Sequence, residues 1–537
     1  MLEKNLLLVI SLLFIITLLT MLGNKLKIAY PVFLVIGGLL ISFIPGIPTF
    51  RINPDIVFYI FLPPVLFAAS WQIAWADFHK MRTPIARLGF GLVFFTSTII
   101  AFLSQALIPG FTLALGFVLG GIISPPDAVA ATSVLRKLKV PHNILTLLEG
   151  ESLVNDASSL IVFRFALLAV MTGHFSLWNA TQSFFTMAIA GILVGLAIGG
   201  IIYIIHKYFP TTKAIDTALT LIAPFVIYLV AEHFNCSGVL AVVTGGLFIS
   251  YHSHHIFTYE SRLTISSVWE TLTFLLNGFI FILIGLQLPY LAKNFTHNTI
   301  KEALLYGVII GIAVILIRLV WVYSINYFRL FMNNNKKGTS YILTNKEAFL
   351  VSWCGMRGVV SLAAALAIPF FLPDKTMFPY RFLILFITFI VILITLVIPG
   401  LTIAPLIKLL KIEDRYAEKK TLDNQRIKLQ LAQTSFEYIM KNYADDISKD
   451  EHFQAVLNRY ERIIRLSNQK IEGYNSEKGE TSKKATPRLK QMLLNIIELK
   501  RTQLSLFLHK KEFDEELIRS KERELDLEEA RLRSRDA

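Results

Sequence analysis

Long apolar runs separated by short polar segments fill residues 1–410, and the pattern then turns polar and stays so. An α-helix rises 1.5 Å per residue, so about 20 mainly apolar residues cross a hydrocarbon layer ~30 Å thick. The runs predict thirteen transmembrane helices, at 5–22, 28–44, 55–75, 88–108, 112–134, 144–170, 180–205, 214–231, 237–251, 264–288, 302–327, 347–371 and 382–407, the ninth being short. The first run has no clear small-residue cleavage site, and Lys25 and Lys27 follow it rather than precede it; it reads as a retained span, not a removed leader. Segments 419–443, 451–472 and 487–532 have helical spacing but no spanning run, and 473–487, with Gly473, Gly479 and Pro487 among polar residues, reads as a linker. The expected fold is an all-α membrane domain over 1–410 and a charged helical tail over 411–537. The tail reads as a packing or regulatory module, open to a cytoplasmic regulator, or as a passive extension.

Composition agrees with this division and adds an orientation. Of 537 residues, 54% are hydrophobic and 17% charged, against about 25% charged in a soluble globular chain. Residues 1–410 hold 25 Lys+Arg and 14 Asp+Glu, and residues 411–537 hold 27 and 24, so the formal charge of +14 divides as +11 and +3. The excess lies in loops between apolar runs. It is not the basic stripe on a folded domain that a nucleic-acid surface needs, and no nucleic-acid partner is expected. Lysine and arginine accumulate on the cytoplasmic side of membrane proteins. With thirteen spans, the odd-numbered loops and the C-terminal side carry 16 of them and the opposite side 6. That balance puts the N-terminus outside and the tail in the cytoplasm, with the lipid of the cell membrane as the surroundings. Cys236 and Cys354 lie far apart in apolar context and imply no disulfide.

A charge at the bilayer centre costs about 2.5–3.5 kcal/mol on insertion scales, so ionisable residues within spans are functional candidates. Arg164, Arg318 and Arg357 lie inside runs, and Asp127, Glu149, Glu151, Asp156, Glu232 and Glu270 inside or beside them. Arg164, Glu232 and Glu270 are near run ends, where they reach headgroups or water, and read as structural. His252, His254 and His255 read as a solvated cluster in a cytoplasmic loop. Two acid sites stand out. In the fifth run, Ser124-Pro125-Pro126-Asp127 removes two backbone donors and predicts a helix break, with Asp127 as N-cap of the second half. A break at that depth exposes carbonyl oxygens that can coordinate a cation; the alternative is a proline kink with a capping aspartate. In the sixth run, Glu151, Ser152, Asn155 and Asp156 fall within about 140° of one helix face.

Three motifs carry a resemblance. Gly150-Glu151-Ser152-Leu153-Val154-Asn155-Asp156, the preceding Ser124-Pro125-Pro126-Asp127-Ala128-Val129-Ala130, and the later Gly355-Met356-Arg357-Gly358-Val359-Val360-Ser361 resemble motifs of sodium/proton exchangers of the monovalent cation–proton antiporter superfamily, in the same order. The likeness covers roughly residues 5–410. It implies a thirteen-helix fold with inverted repeats, interrupted helices 5 and 12 that cross near the midplane, a core transport bundle and a separate dimerisation bundle in a homodimer. It implies transport, not an enzymatic reaction, and no cofactor beyond the transported sodium, lithium or potassium and the proton. Asp156 is then the main carrier and Asp127 its companion, with Ser152, Asn155 and the backbone at Pro126 completing the cation site. Asparagine at 155, where electrogenic relatives have aspartate, implies one cation per proton. Glu151 needs a partner; the resemblance favours Arg318, with Arg357 bracing the crossing. A potassium/proton antiporter is the alternative within the fold, and a cation channel or a sensor signalling through the tail the alternative outside it. No nucleotide-binding loop occurs, which speaks against a primary pump.

Overall fold

The computed structural model describes residues 2–26, 29–44, 54–73, 75–136, 138, 140–173, 177–292, 295, 297–332, 343–412, 417–444, 447, 450–475, 494–502, 525 and 527–529. Of the residues counted in the charge balance, Lys27, Arg51, Lys137, Lys139, Lys293, Lys336 and Lys337 lie outside these. The chain divides into two compact units, Met1–Asp414 and Arg415–Ala537.

The first unit is an all-helical, multi-pass membrane protein. Eight helices among the described residues are long and apolar enough to cross a bilayer: Arg82–Leu107, Leu113–Leu135, His142–Thr172, Thr181–Tyr208, Lys213–His233, Tyr259–Leu288, Thr299–Phe328 and Arg381–Leu410. Shorter apolar helices accompany them at Val9–Lys25, Tyr30–Ser42 and Val57–Gln72, at Gly238–Ile256, and as the pair Asn345–Trp353 and Val359–Leu366. The described residues contain no strand, only an isolated bridge between Phe371 and Met377. The helix Leu177–Tyr208 exposes Phe185, Ile189, Leu193, Leu196, Ile201 and Ile204. Such a face drives association in water and is at home against lipid tails.

Several helices overrun the apolar runs that predicted them. The run 264–288 is the middle of the 34-residue helix Tyr259–Ala292, and 302–327 the middle of the 36-residue helix His297–Met332. Hydropathy marks only the stretch that meets hydrocarbon, whereas a helix continues until a cap or breaker ends it. The same reason corrects the histidine cluster. His252, His254 and His255 sit in the last turns of Gly238–Ile256, not in a loop. His252 is half-buried, its Nδ1 2.9 Å from the Phe248 carbonyl and its ring packed on Tyr203 and Phe248. Hydropathy also does not show the π-helical turns at Val57–Phe61 and Arg87–Leu92. Within the second, the Gly89 carbonyl accepts from Ser158 Oγ at 2.6 Å.

Buried apolar side chains form two clusters. The larger includes Ile123, Leu135, Met356, Leu362 and Phe389; the smaller includes Phe67, Ile227, Val242 and Trp269. Helix His142–Thr172 belongs to both: Leu148, Val154 and Phe163 face the larger cluster, Leu153 and Ala157 the smaller. Of the helices that reach both clusters, which include Tyr259–Ala292, it is the one with the most acids.

In the second unit, Ala417–Asn442 and Glu451–Asn475 pack on each other and bury Ala432 and Leu457. Residues 494–502 are helical, and Arg501 pairs with Glu529 at 2.6 Å. Most of the linker expected over 473–487 and much of the segment 487–532 lie outside the described residues.

Candidate cation and proton site

Two interrupted helices and one continuous helix build the site. The first half-helix, Leu113–Ile123, starts at Thr112, whose hydroxyl accepts from Leu115 N at 3.3 Å. It stops at Ser124, because Pro125 and Pro126 have no N–H to continue the ladder. Asp127 is extended (φ −95°, ψ 122°) and caps the second half, Ala128–Leu135, its Oδ1 accepting from Val129 N at 2.8 Å. The other interrupted helix begins with a capping box: Thr344 Oγ1 accepts from Glu347 N at 3.3 Å and Glu347 Oε2 from Thr344 N at 2.7 Å. It halts after Trp353, runs irregularly through Cys354–Gly358 and resumes as Val359–Leu366.

The two breaks touch. Asp127 N donates to the Met356 carbonyl at 2.6 Å. A side chain at Gly358 would collide with the Asp127 carboxylate, so glycine there leaves room for the acid. We expect Gly358→Ala to displace Asp127 and to cost about 1–3 kcal/mol of stability, as overpacking a buried site does, read as a lower melting temperature of the detergent-solubilised protein. An unchanged melting temperature would mean that the space over Gly358 adapts without cost.

Each first half-helix leaves carbonyls unpaired at its C-terminal end, and a buried arginine fills each end. Arg357 Nε donates to the Ile123 carbonyl at 2.8 Å and its Nη1 to the Gly355 carbonyl at 2.7 Å, while its own N–H donates to Thr395 Oγ1 at 3.2 Å. Arg318 donates to the Val351 carbonyl from Nε at 3.3 Å and from Nη2 at 3.1 Å. The remaining reach of Arg318 is a bidentate pair with Glu151, at 2.5 Å from Nη1 and 2.8 Å from Nη2, with both side chains at most 2% exposed. Glu151 therefore has Arg318 as its partner, and Arg357 braces the ends of the breaks. Gly355 permits this, since a Cβ there would strike the Arg318 side chain. Among the described residues, Arg357 Nη2 is buried without a hydrogen-bond partner.

The continuous helix His142–Thr172 brings the other expected residues to the first break. Asn155 Nδ2 donates to the Pro126 carbonyl at 3.0 Å, and Ser152 Oγ accepts from Ala128 N at 3.4 Å. The Asn155 side-chain oxygen is buried and has no hydrogen-bond partner among the described residues. Asp156 is 7% exposed and within electrostatic reach of Asp127. Among the described residues, no hydrogen bond or ion pair holds its carboxylate. The Pro126 carbonyl, expected as a cation ligand, spends one acceptor position on Asn155 and keeps a second. Asp127, Asp156, Ser152, Asn155 and Pro126 thus meet at one place, with Glu151 paired away from it. Thr395 and the Met356 carbonyl also belong to this architecture. Neither has a signal in the sequence: one is a threonine in an apolar helix, the other a backbone oxygen. Arg164 and Glu232 lie apart, joined at 2.8 Å, and Glu149 is paired with Arg136 at 2.7 Å.

The membrane unit thus holds two touching helix breaks and buried carboxylates inside a shell of apolar helices. Residues 9–409 match the sodium/hydrogen exchanger transmembrane family, and the chain belongs to that family, one of transporters rather than enzymes. A sodium, potassium, lithium and rubidium/H+ antiporter of Bacillus subtilis (strain 168) is 36% identical over 380 residues, 69% of this chain and 56% of its own length. The chain thus spans little more than half of that relative. The Na+/H+ antiporter ApNhaP of Aphanothece halophytica is 30% identical over 398 residues, 74% of this chain and 72% of its own. The structure of the sodium proton antiporter MjNhaP1 from Methanocaldococcus jannaschii at pH 8 is similar in fold, with a TM-score of 0.61 and 21% identity, covering 76% of this chain and 99% of its own.

Proposed function

We propose that the protein exchanges sodium, or another small monovalent cation, for protons across the cell membrane, one for one and without net charge movement. The observation that carries this reading is the Asp156 carboxylate: buried, beside Asp127 at two touching helix breaks, and held by no protein group among the described residues. A carboxylate in that position has two ways to compensate its charge, a cation or a proton. Hard cations favour oxygen ligands, a preference extended here from divalent ions; Asp127, Ser152 Oγ and the Pro126 carbonyl are the neighbouring oxygens. A protonated Asp156 has little attraction for sodium, and a bound sodium repels the proton. The empty site, with two charged carboxylates and no cation, is costly to carry through a low-dielectric interior, so one ion enters as the other leaves. Asn155 does not titrate, which supports a stoichiometry of one proton per cation.

The wider architecture follows the same reading. The membrane domain, 1–410, has thirteen helices in inverted repeats, with the fifth and twelfth crossing at their breaks, an outside N-terminus and a homodimeric assembly. The tail, 411–537, is a cytoplasmic module open to regulation. Potassium/proton exchange is the second reading, favoured by the relative from Bacillus subtilis, which has potassium in its name.

The test is internal pH in proteoliposomes of the purified full chain after adding sodium, potassium or lithium, with and without an imposed membrane potential. We expect a sodium-driven pH change insensitive to potential. A response to potassium alone keeps the mechanism and changes the ion, a response that follows potential ends the one-for-one stoichiometry, and silence toward every cation from folded, inserted protein ends the antiport reading.

A further inference from the structure

The helix that carries Asp156 is tied across the seam between the two buried clusters by an arginine contact toward each end. Beyond Asp156, Arg164 Nη2 donates to Glu232 Oε2 at 2.8 Å. Glu232 lies on Lys213–His233, whose Ile227 and Tyr228 belong to the smaller cluster, and its Oε1 accepts from Gly238 N at 3.3 Å. Before Asp156, Glu149 Oε1 accepts from Arg136 Nη2 at 2.7 Å, and the same nitrogen donates to Gln72 Oε1 at 2.8 Å. Gln72 ends the apolar helix Val57–Gln72, whose end next to Gln72, with Leu66 and Phe67, belongs to the smaller cluster and whose start, with Val57 and Phe61, belongs to the larger. At 1.5 Å per residue, Glu149 and Arg164 stand about 10 and 12 Å from Asp156 along the helix. An open cavity of about 250 Å³ lies beside it on the outer side of Asp156, lined by Ala157, Leu160, Arg164, Tyr59, Tyr228 and Glu232 but not by Asp156 itself. Between the ties the seam is apolar, at Leu153 and Ala157, and apolar contact holds surfaces together without fixing their register. One more contact at the inner end, His142 to Asp77 at 3.2 Å, leads to the short helix Trp75–Lys80, whose Phe78 packs on both clusters, so it does not cross the seam.

We propose that Arg164–Glu232 and Arg136–Gln72 are an outer and an inner clasp that set which face of the membrane Asp156 meets. The inference rests on Asp156 being the carrier, and takes the lysine- and arginine-rich side as the inner one. A closed clasp keeps its end of the seam shut. When the outer clasp parts, the open cavity it lines deepens inward from Ala157 to Asp156; when the inner one parts, access opens from the cytoplasm. The clasps are unequal. The outer one joins two opposite charges, whereas the inner one crosses the seam through the neutral Gln72 amide, its charged partner Glu149 being on the Asp156 helix itself. The four side chains are positioning residues; none is a ligand of the transported ion.

The experiment compares right-side-out and everted membrane vesicles carrying the full chain, in cells without other exchangers, and reads the half-saturating sodium concentration on each face. Glu232→Gln removes the charge of the outer clasp and favours the outward-open state, so the inner-to-outer ratio of these concentrations rises about two- to five-fold, the range that partly exposed ion pairs contribute. Arg164→Gln moves the ratio the same way and serves if Glu232→Gln is not inserted. Gln72→Leu moves it the opposite way, and the Gln72→Leu/Glu232→Gln double variant returns it toward wild type. A ratio unchanged in folded variants, or shifted in one direction by both clasps, overturns the inference. If the wild-type protein exchanges no cation, the carrier reading falls and the clasps fall with it; if it exchanges normally and the ratio does not move, only the clasps fall.

Discussion

Asp156→Asn is expected to reduce cation-driven proton flux at least about 100-fold while leaving the protein folded and no less stable. The amide keeps the size of the carboxyl group and loses the charge and the titration, which are the two properties exchange requires. No hydrogen bond or ion pair holds the carboxylate among the described residues, so its removal breaks no contact. A buried charge without compensation is a cost to the folded state, and its removal gives a melting temperature equal to or above that of the wild type. Flux in proteoliposomes and a thermal melt of the detergent-solubilised protein separate the two effects. Wild-type flux in this variant would take the carrier role from Asp156. A collapsed melting temperature would mean that the carboxylate is structural.

Glu151→Gln should behave in the opposite way, with lost stability as the primary defect and lost flux as its consequence. Glu151 and Arg318 are among the most deeply buried charges, and their bidentate contact compensates both. Removing one partner of such a pair typically costs about 3–5 kcal/mol, because the other charge stays buried alone. Arg318 keeps the Val351 carbonyl in Glu151→Gln, a partial compensation, so this variant should be less damaged than Arg318→Gln. The latter loses the ion pair and uncaps the half-helix end together. In a double-mutant cycle, the Glu151→Gln/Arg318→Gln protein should lose less than the sum of the single losses, by on the order of 2 kcal/mol. Additive losses would show that the two side chains do not act as a unit.

Much of this site is legible in the sequence because its determinants are local. Pro125 and Pro126 end a helix wherever they occur, since the missing N–H and the ring act on the turn that contains them. Asp127 caps the helix that follows because a carboxylate one position before a helix reaches its first amides. Ser152, Asn155 and Asp156 share a face by periodicity alone. The second break is less legible. Gly355 and Gly358 permit an irregular stretch without requiring one, and the reason for it lies elsewhere: Arg318 passes where a Gly355 side chain would be, and Asp127 occupies the space over Gly358. The histidines near residue 254 show the same limit from another side, since hydropathy marks the membrane's edge and not the helix's end.

The class of the molecule and its division follow from local composition along the chain. Apolar runs of spanning length need a membrane to solvate them, the abrupt change near residue 410 separates a membrane part from a charged tail, and the acids in the fifth and sixth runs mark the chemistry. Which charge meets which comes instead from helix packing. Glu151 and Arg318 are 167 positions apart, Arg357 turns to a carbonyl 234 positions away, and Arg164 finds Glu232 at 68. Helix periodicity and proline chemistry act within one or two turns of the chain. The choice of partner at such separations depends on how the helices pack, because a buried charge must be matched by whatever group the packing brings within about 3 Å.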